Sequence, residues 1–308
     1  RPRMSLIRAA STLLIPVHRG REEYLKSLLH SIARAQSSLW YPSAILIATS
    51  DIADIDNVVR PVAPELPVSL STHVFPECRN LASLRNRAAG IVATEWIHSV
   101  DSDTLIPPDY FVKLERAMAS CPSGVHFVQL NFVPVAKSFW ARCEGLIDTL
   151  VLSRYITVDS IRGFNGMNFM VRHDALRSAG GFAEDQLAAE DVELGYRFWK
   201  LGMRAVFLPD VAVLHRYPDA LRALLRRKFW HGRGYAMVFR RCPELFRRTA
   251  GRTGVFRTHW KTIIKPAFFL YYGISSLVFL AGLIYETIRK RSVATTPSTH
   301  HWLTSSRA

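Results

Sequence analysis

Short apolar runs alternate with helical patterns along the first half of this chain, and this alternation limits its possible folds more than any other feature. Strands that alternate with helices predict an α/β fold with a mostly parallel sheet and helices on both of its faces. In open sheets of this kind, ligands bind beyond the carboxyl ends of the strands. The predicted strands cover residues 12–17, 44–48, 68–75, 96–100, 125–133, 168–171, 205–208 and 211–214. The predicted helices cover residues 22–35, 81–93, 107–119, 139–153 and 190–201.

The pattern changes after residue 218, where apolar residues recur among arginines up to about residue 241. This spacing predicts an amphipathic helix at a membrane interface, bent around Gly232 and Gly234. Residues 266–285 then form a run of twenty positions without a charged side chain. A helix of that length spans roughly 30 Å, the thickness of a bilayer's hydrocarbon core. Basic residues flank the run on both sides, so a transmembrane, a tilted and a partly inserted helix are all compatible with it.

Most of the positive charge of the chain lies in one block. The formal net charge is +15, and residues 216–265 hold fourteen Lys and Arg against Asp219 and Glu244, which is +12 of that total. Either nucleic acid or an anionic bilayer would attract such a block. Because the uncharged run follows it, we expect an anionic membrane surface as a partner and no nucleic acid.

These patterns divide the chain into four segments. Residues 1–218 form the predicted globular domain and 219–262 the basic amphipathic helices at the membrane interface, followed by a transmembrane or membrane-inserted helix at 263–288 and a polar tail at 289–308. The first ten residues lack the apolar core of a cleaved signal peptide. The four cysteines show neither metal-ligand nor disulfide spacing, which predicts reduced thiols and a domain that faces the cytoplasm.

Carboxylates follow two of the predicted strands. Asp101-Ser102-Asp103 comes directly after the strand at 96–100, and Asp51 lies just beyond the strand at 44–48. Two carboxylates one residue apart suit one hard divalent cation together with phosphate oxygens, although the same pattern is common in solvated loops. His215, at the end of the last predicted strand, is either a third ligand or an ordinary structural histidine.

Several ordered segments resemble glycosyltransferase family 2. They are Leu14-Ile15-Pro16-Val17, Leu84-Arg85-Asn86-Arg87, residues 95–108, Gly163-Phe164-Asn165-Gly166, residues 180–184, and residues 189–194 with Arg197. The resemblance covers about residues 11–218 and keeps the family's order and spacing. It implies the GT-A fold, which is Rossmann-like, a nucleoside diphosphate sugar donor, a Mg²⁺ or Mn²⁺ ion, and inversion at the anomeric carbon.

The resemblance also implies roles for individual residues. The metal ligands would be Asp101, Asp103 and His215, and Asp191 would be the catalytic base, with Glu190 orienting the site or binding the acceptor. The expected donor-binding residues are Pro16, Val17, Asp51, Arg85, Asp101, Ser102 and Asp103. Asp51 departs from the family's usual Asp-Gly-Ser turn, since Ile52 follows it here. The alternative for Glu190 and Asp191 is that they only stabilise the start of a helix.

The acceptor is expected to be associated with the membrane. Residues 226–230 align with the Gln-x-x-Arg-Trp box of processive polysaccharide synthases, but only Trp230 agrees. We therefore expect one or a few sugars to be added to a lipid-linked or glycan acceptor, with Asn165, Gly166 and Trp230 on the acceptor side. Trp230 is equally compatible with an interfacial anchor. A UDP-sugar is the favoured donor, and a GDP-sugar is the second choice.

Two alternative functions make different demands on the sequence. A nucleotidyltransferase would need a glycine-rich basic loop after the first strand, and Ile15-Pro16-Val17-His18-Arg19-Gly20 is not one. A non-catalytic protein that binds a membrane surface or nucleic acid would use the basic block at 216–265. Metal-dependent binding of a nucleotide separates this alternative from the enzyme.

Overall fold

A computed structural model describes residues 10–156, 161–246 and 265–291, and these contain eight strands and nine helices. The strands are β1 (Ser11–Val17), β2 (Ala44–Thr49), β3 (Ser69–Val74), β4 (Trp96–Val100), β5 (Thr104–Leu105), β6 (Phe127–Val135), β7 (Asn168–Arg172) and β8 (Ala205–Arg216). The helices are α1 (Glu22–Ala33), α2 (Ile55–Val59), α3 (Leu81–Gly90), α4 (Tyr110–Ala119), α5 (Phe139–Tyr155), α6 (His173–Ser178), α7 (Glu190–Lys200), α8 (Leu221–Arg241) and α9 (Pro266–Arg291). Short 3-10 turns occupy Ala63–Glu65 and Pro243–Phe246.

The strands form one sheet in the order β3-β2-β1-β4-β7-β6-β8-β5. β1, β2, β3 and β4 are parallel, as predicted, and β6 is parallel to β8. The sheet is mixed because β7 runs antiparallel to both β4 and β6, and β5 runs antiparallel to β8. The carboxyl ends of β4 and β8 therefore open at the same edge as the start of β7.

Helices cover both faces of this sheet, which confirms the prediction. The side chains of β1 alternate between the faces, so Leu13 and Ile15 pack with α1 and α4 while Leu14 packs with α3 and α7. β1 is buried along its whole length, as expected for a central strand of a covered sheet.

The strand that contains His215 is longer than predicted. The two strands expected at 205–208 and 211–214 are one strand, β8, whose pairing with β6 shifts register between Leu130 and Asn131. Pro209 and Asp210 interrupt the apolar pattern and suggested a break, but the pairing with β6 resumes beyond them. β5, α2 and α6 were not predicted, because elements of two to six residues leave little periodicity to detect.

The helix predicted after residue 218 is α8, which is continuous from Leu221 to Arg241. Gly232 and Gly234, where a bend was predicted, are positions of close packing. A Cβ atom at Gly232 would overlap the carbonyl of Phe279 in α9, and one at Gly234 would overlap the carbonyl of Ala188. Glycine is therefore needed there because other backbone segments approach α8 directly.

α9 has the length and composition of a membrane helix. Within Pro266–Arg289, the most apolar window of eighteen residues has a mean hydropathy of 2.0, and most side chains of this helix are exposed. The rest of the predicted basic block at 247–264, the tail at 292–308 and the N-terminal residues 1–9 lie outside the described residues.

Candidate functional site

The three predicted metal ligands lie together at the sheet edge. Asp101 follows β4, and the turn that leads to β5 is closed by Thr104, whose amide and hydroxyl both donate to the Asp101 carbonyl, at 3.1 and 2.7 Å. β5 pairs with β8, with Thr104 opposite His215. Candidate ligand atoms of Asp101, Asp103 and His215 consequently lie within 4.8 Å of one another. The turn and the β5–β8 pairing thus bring residues over a hundred positions apart into one cluster.

The charges around this cluster suit a divalent cation. Asp103 is 3.1 Å from the Arg21 guanidinium and 3.3 Å from Nε2 of His215. Burial alone would raise the pKa of Asp103, but His215 and Arg21 outweigh it and hold this pKa at about 2. Burial raises the pKa of Asp101, and the Arg85 guanidinium partly opposes it. Carboxylate oxygens with one imidazole nitrogen are suitable ligands for Mg²⁺ or Mn²⁺.

Nε2 is the ring nitrogen of His215 that faces this cluster, since it lies 3.3 Å from Oδ1 of Asp103. The donor set of two carboxylates and one imidazole nitrogen therefore fits a cation at Asp101, Asp103 and His215.

Asp191 lies in the first turn of α7. Its Oδ2 accepts a hydrogen bond from the Gly166 amide at 2.7 Å, and its Oδ1 accepts one from the Val192 amide at 2.8 Å. Burial and then the neighbouring Glu190 raise the pKa of Asp191 to about 7. The pKa of this carboxyl is therefore close to neutral pH, as is suitable for a general base.

The residue before α7 has a strained backbone. Ala189 has φ of 58°, and it is the one described non-glycine residue with a positive φ. Such a conformation is costly for alanine and is found mainly where surrounding contacts enforce it. Ala189 is also the N-cap, and no side chain caps α7, so neither Glu190 nor Asp191 is the N-cap residue of this helix.

Arg85 connects the two carboxylate groups. Its side chain, which is 1% exposed, donates to Glu190 at 2.7 Å, to Asp101 at 2.9 Å and to the Gly166 carbonyl at 2.9 Å. These acceptors already occupy both terminal nitrogens of the guanidinium. Arg85 is thus a positioning residue in this structure, and the nucleotide contact expected for it stays a prediction.

A cavity of about 310 Å³ contains both halves of the predicted site. Asp101, Asp103 and His215 line it together with Glu190, Asp191, Asn165 and Gly166. Gly166 has little room for a side chain, because a Cβ there would lie 2.9 Å from Nη1 of Arg85 and 3.2 Å from Oδ2 of Asp191. The three candidate metal ligands and the Asp191 carboxyl thus face the same cavity.

Other predicted residues lie outside the lining of this cavity. Pro16 and Val17 are buried at the end of β1, and Ser102 is buried in the turn after β4. Asp51 follows β2 and accepts a hydrogen bond from the Arg19 amide at 3.0 Å. Trp230 is 42% exposed, and its ring lies 4.5 Å from the Arg233 guanidinium. Their predicted contacts with donor or acceptor stay predictions.

Several residues that line the cavity were not predicted from the sequence. They are Arg21, Asp148, Tyr217, Arg227 and Tyr235, whereas His231 was expected near the phosphates or the bilayer surface. Arg227, His231 and Tyr235 recur every four residues on one face of α8, and that spacing could have identified them. Burial and then Arg227 lower the pKa of His231 to about 3, so its imidazole is neutral in the cavity.

Part of the basic block is neutralised inside the molecule. Arg227 lies 3.0 Å from Glu144 and 2.9 Å from Asp148 in α5, and Lys228 lies 3.0 Å from Glu144. Tyr271 of α9 donates to the same Glu144 at 2.8 Å. These charges hold α8 and α9 on the globular domain, so they do not form the open basic face that a nucleic-acid surface requires.

Solved structures share this fold. A mannosyltransferase from Pyrobaculum calidifontis in complex with GDP-mannose and Mn²⁺ has a TM-score of 0.64 at 18% identity, with 92% of this chain and 89% of that chain covered. Glucosyl-3-phosphoglycerate synthase from Mycobacterium tuberculosis has a TM-score of 0.52 at 15% identity, with 76% and 80% covered. These similarities confirm the predicted GT-A fold.

Curated relatives extend the comparison to sequence. The chain is 23% identical over 248 residues to a probable glucomannan 4-β-mannosyltransferase of Arabidopsis thaliana, with 74% of this chain and 54% of the relative covered. A second probable enzyme of this name, from Oryza sativa subsp. japonica, is 24% identical over 166 residues, with 50% and 28% covered. The chain thus spans about half, or less, of the length of these relatives.

A family profile also matches the chain. The profile described as Glycosyl transferase family group 2 covers residues 96–298, about two-thirds of the sequence. This region includes the metal cluster, Asp191, α8 and α9. The chain belongs to glycosyl transferase family group 2.

Proposed function

We propose that this chain is a metal-dependent glycosyltransferase that moves a sugar from a nucleoside diphosphate sugar to a hydroxyl group of an acceptor, with inversion at the anomeric carbon. One observation carries the proposal. A cavity of about 310 Å³ is lined both by a cluster of three metal-ligand side chains and by Asp191, whose pKa is raised to about 7. Sugar transfer needs both features, one for the leaving diphosphate and one for the incoming hydroxyl.

The chemistry follows from these positions. Asp191 accepts the proton of the acceptor hydroxyl, whose oxygen attacks the anomeric carbon. The bond from that carbon to the phosphate oxygen breaks, and the diphosphate leaves with the bonding electrons. A Mg²⁺ or Mn²⁺ ion held by Asp101, Asp103 and His215 would stabilise the negative charge that develops on the diphosphate. Attack opposite the leaving group inverts the anomeric carbon.

The neighbouring residues support these roles. Arg85 holds Asp101 and Glu190 at fixed positions through charge-assisted hydrogen bonds, which are among the stronger ones in proteins. The Gly166 amide orients the Asp191 carboxyl. We assign Glu190, Asn165 and Gly166 to the acceptor side, because they line the cavity beside Asp191.

The nucleotide is proposed to lie over the ends of the parallel strands. β1 lies between β2 and β4 in the sheet, so Pro16, Val17 and Asp51 end at the same edge as Asp101 and Ser102. UDP-sugars remain candidate donors. GDP-mannose should be tested with them, because one structural relative was solved with GDP-mannose and two curated relatives are named as probable mannosyltransferases.

The acceptor is proposed to be membrane-associated, either lipid-linked or a glycan, and the protein to work at the cytoplasmic membrane with its globular domain in the cytoplasm. α9 is apolar and exposed, and α8 joins it directly to the cavity through His231 and Tyr235. Trp230, next to His231, would then contact either the acceptor or the bilayer surface.

Calorimetric titration tests the proposed site. We expect a uridine or guanosine diphosphate to bind in the presence of Mn²⁺ and to bind far more weakly after chelation. Asp103→Ala should remove this dependence on metal, because it deletes a carboxylate ligand. Asp109→Ala is the matched control, since Asp109 is an exposed carboxylate paired with Lys113 outside the cavity. Equal nucleotide binding with and without metal would instead favour a non-catalytic binding protein.

A further inference from the structure

The outer side of α9 differs from that of a helix in a soluble protein. The side of α9 that faces the molecule buries aromatic side chains, Phe268 and Tyr271, and polar ones, Ser275 and Glu286. Its outer side exposes large apolar ones, with Leu270 at 59% and Leu277 at 68% exposed. Water does not stabilise such an arrangement, since exposed apolar area is unfavourable there. Hydrocarbon does stabilise it, so the pattern identifies the outer side as a lipid contact.

α9 runs beside α8 for most of its length. Phe268 and Tyr271 pack with Leu224 near the start of α8, and Gly282 packs against the Phe229 carbonyl in the middle of α8. Further along, Arg233 forms a buried ion pair with Glu286 at 2.8 Å. Contacts thus continue from Phe268 to Glu286, and no long part of α9 is separate from α8.

α8 in turn is fixed along its length to the globular domain. Lys228 is paired with Glu144 of α5, Gly234 packs on Ala188, and Val238 packs with Val192 of α7. The Gly234 carbonyl also accepts a hydrogen bond from Gln186 at 2.8 Å. The axis of α8 therefore follows the surface of the domain, and α9 follows the same direction.

This geometry excludes a simple crossing. If α9 crossed the bilayer, the adjoining length of α8 would have to enter the hydrocarbon with it. Arg226, Lys228 and His231 would be carried into the membrane, and with them the cavity that His231 lines. Charged side chains at bilayer depth are strongly unfavourable, and this cavity is lined by charged residues.

We propose that α9 lies in the plane of one leaflet of an anionic bilayer, with both ends on the side of the globular domain, and does not cross the membrane. The proposal rests on the membrane association proposed above and states its form. Charge complementarity selects anionic lipid as the occupant. Arg222 and Arg226 border an apolar groove that Leu225, Phe229 and Val278 also line between α8 and α9. This places guanidinium groups at the level of the lipid phosphates and apolar side chains below them.

Labelling of single cysteines tests the topology. The full chain is added to sealed vesicles of phosphatidylcholine and phosphatidylglycerol, in a Cys121→Ser background because the three other cysteines are buried. Reporter cysteines replace Lys265, Arg289 and, on the globular domain, Ser123. An impermeant maleimide is then applied from outside. We expect all three positions to react before detergent is added.

Reaction of position 265 or 289 only after detergent, with position 123 already labelled, would overturn the proposal, because it shows a crossing. Absence of vesicle binding would also overturn it, as would a dimer formed through the outer side of α9 without lipid. Metal-dependent nucleotide binding is measured on the same protein in detergent. A failure of the proposed catalytic function is therefore seen separately from a failure of the topology.

Depth measurements provide a second readout. A fluorophore on cysteines at positions 270, 277 and 284 should be quenched equally by lipids brominated at one depth if α9 lies in the plane. A crossing helix would place position 277 much deeper than the other two. Gly282→Leu should alter this profile, because Gly282 packs on the Phe229 carbonyl, whereas Gly273→Leu should not, because a Cβ there meets nothing within 4 Å. Identical profiles for the two glycine variants would contradict the role of α8.

Discussion

At the scale of single residues, the Asp191 carboxyl has a pKa of about 7 because burial and Glu190 disfavour its charge. A base works only when deprotonated, so we expect kcat to fall as the pH drops below about 7. Asp191→Asn should lower kcat by about 10²- to 10⁴-fold, the usual contribution of a general base, and leave Mn²⁺-dependent binding of the diphosphate intact. The measurement is kcat against pH for both proteins.

Asp174→Asn is the control for this variant, since Asp174 is an exposed carboxylate on α6 that pairs with Arg172. It should keep the normal rate and pH profile. If Asp191→Asn kept the full kcat and the same fall of kcat at low pH, another group would have to take the proton.

Gly166 makes a second prediction at this scale. Gly166→Ala places a Cβ 2.9 Å from Nη1 of Arg85 and 3.2 Å from Oδ2 of Asp191, so one of these side chains must move. A misplacement of about 1 Å in an active site can reduce the rate by about 100-fold, so we expect a loss of up to that size. Gly90→Ala is the matched control, because its Cβ would meet nothing within 4 Å. Steady-state rates compare the two variants, and equal rates would mean that the Gly166 loop adapts.

At the scale of elements, a buried ionic network joins α5, α8 and α9. Glu144 is fully buried and bonds to Arg227, Lys228 and Tyr271. Glu144→Gln keeps the shape but leaves cations without their full countercharge. Removing one partner of a buried ion pair costs about 3 kcal/mol or more, so the apparent melting temperature should fall by several degrees.

Glu95→Gln is the comparison for this network. Glu95 pairs with Arg172 at the surface, with about half of its side chain exposed. Exposed pairs contribute about 1 kcal/mol or less, so this variant should melt close to the parent protein. Thermal unfolding followed by circular dichroism in detergent measures both. If Glu144→Gln were as stable as Glu95→Gln, the network would not hold the helices on the domain.

At the scale of the whole molecule, the proposed lipid contact and the proposed site of chemistry lie on opposite sides of α8. Leu277 faces away from α8 and the cavity, so Leu277→Glu should reduce flotation with anionic vesicles, because it places a charge in the hydrocarbon. Nucleotide binding in detergent should not change. Leu277→Met is the control, because it keeps an apolar side chain at this position and should float normally. Normal flotation of Leu277→Glu would remove α9 from the lipid contact.

Much of this architecture could be predicted from the sequence alone. Periodicity located the seven longer strands and the longer helices, because burial on one face or both leaves a local pattern in the chain. The segment Asp101-Ser102-Asp103 was recognised as a short motif at the end of a strand, and the role of Asp191 came from the resemblance to the family. The uncharged run at 266–285 likewise predicted a long apolar helix, and the structure has one at Pro266–Arg291.

The tertiary structure decided what depends on pairing between distant segments. The pairing of β5 with β8 placed His215 beside Asp103, and no local pattern encodes that pairing. Burial of Arg85 between Asp101 and Glu190 gave it two ion pairs that the motif alone did not predict. Packing of α8 against both the domain and α9 turned His231 into the cavity and left Trp230 exposed. A residue's type and spacing determine its element, but which atoms it meets depends on how the elements pack.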